Sequence, residues 1–128
     1  MSAALIQRLR DHQSRQSCDS LTERECNVCT SLEGLSTDTG KPFWLQILGG
    51  MLNFLHLNDA EKDFLLGEIL DELGGLDPKS VQLEEGLYVT FPVDEMPSPV
   101  VDALLMRILE EYLAVNESTV GITTENFG

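Results

Sequence analysis

Apolar residues set the first divisions of the chain. Leu5, Ile6 and Leu9 recur at helical spacing within residues 2–16, and a polar stretch follows. This predicts a short amphipathic helix. Ser20 and Glu23 have the spacing of a capping box. They predict a second helix whose apolar side holds Leu21, Val28, Cys29, Leu32 and Leu35, with a loop from Ser36 to Gly40. From Phe43 to Leu57 the chain is apolar almost all round, the pattern of a helix enclosed by others. Gln46, Gly50 and Asn53 form its weaker side. Gly49-Gly50 would cost such a helix about 1 kcal/mol per glycine, so a kink or a close crossing is expected there.

Asn58 and Glu61 form another capping pattern, ahead of Phe64, Leu65, Leu66, Ile69, Leu70 and Leu73 on one side of a helix. Gly74-Gly75 and Asp77-Pro78 end it. Residues 81–91 then change period: Val81, Leu83, Leu87, Val89 and Phe91 alternate around Glu84-Glu85-Gly86 and predict a short hairpin. Ser98-Pro99 opens a last helix that runs to about Asn116. The pattern as a whole predicts a mainly α fold, a compact bundle of about five helices with one β-hairpin at 81–91. Residues 1–116 form a single helical domain and 117–128 a polar tail.

Charge narrows the choice of partners. The 128 residues carry eight Lys+Arg against 22 Asp+Glu, a net charge of −14. Such a chain lacks the basic footprint of a nucleic-acid binder and is repelled by anionic membrane surfaces. Residues 1–41 hold five basic and six acidic residues, whereas 42–128 hold three basic and 16 acidic. The acidity recurs as the doublets Asp71-Glu72, Glu84-Glu85, Asp94-Glu95 and Glu110-Glu111. Placed at helix ends, a hairpin tip and loops, they form a candidate surface for a basic partner. No signal-peptide core interrupts the N-terminal residues, and the uncharged run Pro42–Asn58 contains too many polar residues and glycines for a membrane span. An odd number of cysteines, three, agrees with a reducing cytoplasm.

Candidate chemistry is sparse. His12, Cys18, Cys26 and Cys29 supply four soft donors within 18 positions and could hold zinc. Only one C-x2-C pair is present, however, and the expected state is buried free thiols with no metal or other cofactor. His56, in an apolar stretch, reads as a satisfied core histidine. Nucleophile elbow, Glu-x-x-His pair, phosphate loop and EF-hand spacing are all missing, and no enzyme is expected. Leu21-Thr22-Glu23-Arg24-Glu25, Val28 and Gly34-Leu35-Ser36 resemble the opening of the LuxR-type helix-turn-helix over about 16 residues. That resemblance implies DNA binding. Thr37-Asp38-Thr39-Gly40-Lys41-Pro42-Phe43-Trp44 departs from the family and brings no basic recognition helix, so the function is not carried over.

These readings converge on a non-enzymatic acidic binding protein. It would engage a basic, nucleic-acid-handling protein as inhibitor, decoy, immunity factor or adaptor, without binding nucleic acid itself. The alternative is an assembly module, such as a secretion chaperone or a phage or virion component, that forms homo-oligomers through apolar helices.

Overall fold

The computed structural model describes residues 2–14, 28–74, 81–84, 86–94 and 96–126. The bundle of about five helices is not what these residues form. Three helices and a six-stranded antiparallel sheet alternate along the chain as α1 (Ser2–Ser14), β1 (Val28–Leu35), β2 (Pro42–Leu48), β3 (Met51–Leu55), α2 (Ala60–Ile69), β4 (Gln82–Glu84), β5 (Tyr88–Pro92), α3 (Ser98–Arg107) and β6 (Gly121–Asn126). The sheet order is β4-β5-β3-β2-β1-β6. Both α2 and α3 continue into a wider, π-type turn, Leu70–Gly74 and Ile108–Tyr112.

The segment read as an enclosed helix, 43–57, is a hairpin of β2 and β3. Gly49 and Gly50 both have positive φ, 57° and 79°. Two such residues build the tight primed turn whose twist matches the flanking strands, and glycine adopts it without a Cβ clash. They therefore make the turn and do not kink a helix. Phe43, Leu45 and Ile47 alternate with half-buried Trp44, Gln46 and Leu48, and Leu52 and Phe54 alternate with half-buried Met51, Asn53 and Leu55. Because several residues of the uncovered set are also apolar, the period of two is hidden in the sequence.

The apolar side assigned to a second helix corrects in the same way. Val28, Cys29, Leu32 and Leu35 lie on strand β1, in register with β2 through Leu32–Leu45 and Glu33–Trp44. Residues 20–27, which include the predicted capping box and most of the helix-turn-helix resemblance, lie outside the described residues. The hairpin at 81–91 and the helices near 2–16, 58–73 and 98–116 form close to their expected places. α2 starts one residue late: Asn58 takes a positive φ of 53°, and Asp59 caps the helix by accepting from the Lys62 N–H at 3.1 Å. Beyond residue 116, a short 3-10 turn (Glu117–Thr119) leads into β6, which pairs with β1 from Val28–Asn126 to Glu33–Gly121.

The helices cover one face only. α1 lies against β1 and β6, α3 packs beside α1, and the turn that ends α2 packs on α3. Beneath them, Phe54 meets Phe91 and Tyr112 edge-to-face, with ring centroids 5.9 and 5.4 Å apart. Leu9, Leu32, Leu45, Leu104, Ile108 and Leu109 complete the centre of this layer, fully buried. At the end of α3 the chain returns to β1: Asn116 N–H donates to the Leu35 carbonyl, and the Leu35 N–H donates to Thr119 Oγ1. Thr119 sits so close to Gly34 that a Cβ there would lie 3.0 Å from its Oγ1 and 3.1 Å from the Phe43 ring.

Tyr112 anchors α3 to the sheet through its ring and through its hydroxyl, which accepts from the Leu57 N–H at 3.1 Å. Tyr112→Phe should cost about 1–2 kcal/mol, the penalty of a part-buried N–H left without its acceptor. Burial pushes the Tyr112 phenol above its ordinary value of 10.0; the Leu57 hydrogen bond opposes this, and Asp63 and Asp59 add to the rise. A raised folded value means that this group's stabilisation is complete below the unfolded value and is lost as pH climbs through the folded one. Denaturant midpoints measured from about pH 8 to about pH 11 should fall more steeply for the native chain than for Tyr112→Phe. Parallel curves would separate Tyr112 from alkaline unfolding.

Candidate binding surfaces

Strand register sorts the uncovered face into three rows. Cys29, Leu48, Met51 and Pro92 form one; Ser31, Gln46, Asn53, Thr90 and Gln82 the middle one; Glu33, Trp44, Leu55, Tyr88 and Glu84 the third. The middle row is polar, and Thr90 Oγ1 donates to Asn53 Oδ1 at 2.7 Å within it. The rows on either side are largely apolar and, in β2, β3 and β5, only half-buried. No helix lies over this face among the described residues. A polar stripe between apolar stripes suits an amphipathic or extended segment better than a second hydrophobic core.

At one end of the face lies a shallow groove of about 790 Å³. It is lined by Glu33, Leu35, Trp44, Leu55, Thr119 and Gly121, among others. Gly34 and Gly121 contribute no side chains to it.

The described residues include four exposed large apolar side chains, among them Phe64 on α2 (70% exposed), Leu83 on β4 (49%) and Leu87 beside the hairpin turn (53%). The fourth, Leu35 (40%), lines the groove.

His56 fixes the hairpin to α2. Its buried ring accepts at Nδ1 from the Gly86 N–H (3.0 Å) and the Asn58 N–H (3.2 Å), while Nε2 lies 2.8 Å from Asp63 Oδ1. Two backbone donors at Nδ1 leave the proton on Nε2, where it is donated to the Asp63 carboxylate. One side chain thus aligns the end of β3, the first turn of α2 and the β4–β5 hairpin. The adjoining cavity of about 320 Å³ is lined by Ser36, Asp38, Lys41, His56, Asp59 and Lys62, among others. Lys62 is occupied by Asp38 at 3.0 Å and by the Glu111 carbonyl at 2.6 Å.

The acidic residues singled out in the sequence occupy separate places. Glu72 and Glu111 meet through Arg107, whose guanidinium bonds both, at 2.6 Å for Glu111. Chiefly through the Glu111 hydrogen bond, this pairing holds the already basic Arg107 above its ordinary value, against desolvation. Asp71 and Glu110 stand exposed on the same two helix extensions. Glu84 is on β4, and Asp94 follows the opposite end of β5. Glu85 and Glu95 lie outside the described residues. Of the candidate zinc ligands, His12 is on α1 in the helix layer, while buried Cys29 falls by register on the opposite face of the sheet. Cys18 and Cys26 lie outside the described residues, and among those described no three His, Cys, Asp or Glu side chains are grouped so as to hold a metal ion. No described helix is long and apolar enough to cross a membrane.

Hydrophobic spacing along the chain hid the open face and the groove, since both depend on strand register; the signal that could have exposed them was the Gly49-Gly50 pair read as a turn.

His56→Phe keeps the ring volume but leaves the Gly86 and Asn58 donors unsatisfied. It should cost about 2–4 kcal/mol, read from urea unfolding. In the native chain at neutral pH, ¹⁵N spectra should show a bare Nδ1 and a protonated Nε2; the reverse tautomer would remove the clasp.

Comparison with protein-family models, with curated proteins and with solved structures finds no match.

Proposed function

We propose that the protein is a non-enzymatic assembly module that escorts another protein, in the manner of a secretion chaperone, and acts as a two-fold dimer. The observation that carries this reading is the separation of two unfilled surfaces. One is a broad sheet face with apolar and polar rows that no described helix covers; the other comprises the exposed apolar side chains Phe64, Leu83 and Leu87. The ionisable groups that do meet inside the fold are tied to each other or to the backbone: His56 to Asp63, Lys62 to Asp38, Arg107 to Glu72 and Glu111. These pairs support the fold and need no substrate to explain them.

The β4 side suits a second copy. A short edge strand paired with its own symmetry mate is self-complementary, and exposed Phe64 and Leu83 flank it. The open sheet face then remains for an extended or amphipathic segment of the client. The net charge of −14 favours clients with basic segments and keeps the loaded assembly soluble. The acidic positions Asp71, Glu72, Glu84, Asp94, Glu110 and Glu111 contribute to this as a general field spread over several elements.

Sedimentation should give twice the 14.2 kDa chain mass. Because both copies are negative while the contact is apolar, added salt should tighten the dimer. The double variant Phe64→Asp, Leu83→Asp should be monomeric with its helical and sheet spectra intact. For client holding, limited proteolysis of a complex captured from native lysate should leave a short protected client segment that is not independently folded. A native chain that is monomeric at high concentration overturns the dimer, and a client bound only as an intact folded domain overturns the escort function.

A further inference from the structure

We propose that the groove beside Trp44 is a subsite for one cationic side chain, an arginine above all, carried by an extended segment with apolar neighbours. This rests on the client-holding reading and names the chemistry that the open face selects.

Glu33 and Trp44 are directly opposite on β1 and β2 and point to the same uncovered face. Side chains so paired lie about 5 Å apart at Cβ, so one planar guanidinium can lie on the indole and reach the carboxylate together. Glu33 is exposed, and none of the ion pairs among the described residues involves it. The cations Arg10, Lys62 and Arg107 are already held by Asp102, Asp38 and the Glu72–Glu111 pair.

The walls explain the rest of the specificity. Leu35 and Leu55 give apolar contact to the residues beside the cation. Gly121, opposite Glu33 on β6, keeps the approach open: a Cβ built there meets nothing within 4 Å. A neutral apolar side chain would gain the indole but leave the carboxylate unpaired, and an acidic one would be repelled.

Trp44 is the single tryptophan of the chain, so its emission and its indole N–H resonance report this groove directly. The probes are three capped tripeptides, with arginine, norleucine or glutamate between two leucines. The arginine peptide should bind about three- to tenfold tighter than the norleucine peptide, and the glutamate peptide weakest. Glu33→Gln should abolish the preference for arginine while norleucine binding persists. Gly121→Phe, whose Cβ has free space within 4 Å, should block all three. Equal binding of the three peptides, or an arginine preference that survives Glu33→Gln, overturns the subsite.

Client capture separates the two readings. A client still held at full affinity by Glu33→Gln and Gly121→Phe leaves the escort function standing and removes the subsite. An arginine preference in a chain that holds no client supports the subsite and removes the escort function.

Discussion

Packing of α3 and its neighbours onto one face of the sheet determines where every other surface lies. Phe54, Phe91 and Tyr112 form an aromatic contact at the centre of that layer, and Leu104, Ile108 and Leu109 extend it along α3. Edge-to-face rings resist rotation better than aliphatic contacts of the same area, so they fix the helix in angle as well as in depth. The Tyr112 hydroxyl adds a directional bond to Leu57, immediately before α2. With the helices committed to one side, the residues between the buried ones in each strand must face outward. The uncovered face is thus a consequence of the core, and its composition shows what the fold leaves available.

That composition also explains which parts of the architecture were legible in the sequence. α2, α3 and the 81–91 hairpin carry their own punctuation: the Asn58–Glu61 capping pattern, shifted by one residue to Asp59, Ser98-Pro99 at the start of α3, and Gly86 in a turn. The β2–β3 hairpin conceals its period, because Trp44, Leu48, Met51 and Leu55 are apolar on the side that a globular strand normally leaves polar. An apolar residue at nearly every position is also the pattern of a buried helix. The residues that misled the periodicity are therefore the ones that make the face a candidate binding surface. β1 was obscured by Val28, Cys29, Leu32 and Leu35, which satisfy helical spacing as well as strand spacing. β6, Gly-Ile-Thr-Thr-Glu-Asn, has little apolar content and becomes a strand because β1 offers it a ladder. Asp71, Glu72, Glu84, Glu110 and Glu111 were legible as exposed positions, but sequence distance could not show that Arg107 joins Glu72 to Glu111 or that Glu84 and Asp94 stand at opposite ends of β5.

The two edges of the sheet are treated differently, and this bears on how such a chain meets a partner. β6 forms one edge with a largely polar sequence that includes the charged Glu125, and a charge on an edge strand disfavours strand addition. On the other edge, β4 presents Leu83, and α2 and the hairpin add Phe64 and Leu87 beside it. Apolar side chains beside a sheet edge favour association wherever no other part of the chain covers them. High negative charge opposes indiscriminate association at long range but cannot shield a specific contact once two surfaces meet. The two-fold contact proposed above would cover this edge on both copies and close the assembly at two. His56 holds the first turn of α2 and the hairpin in a single alignment, which would fix Phe64, Leu83 and Leu87 relative to one another in the proposed contact.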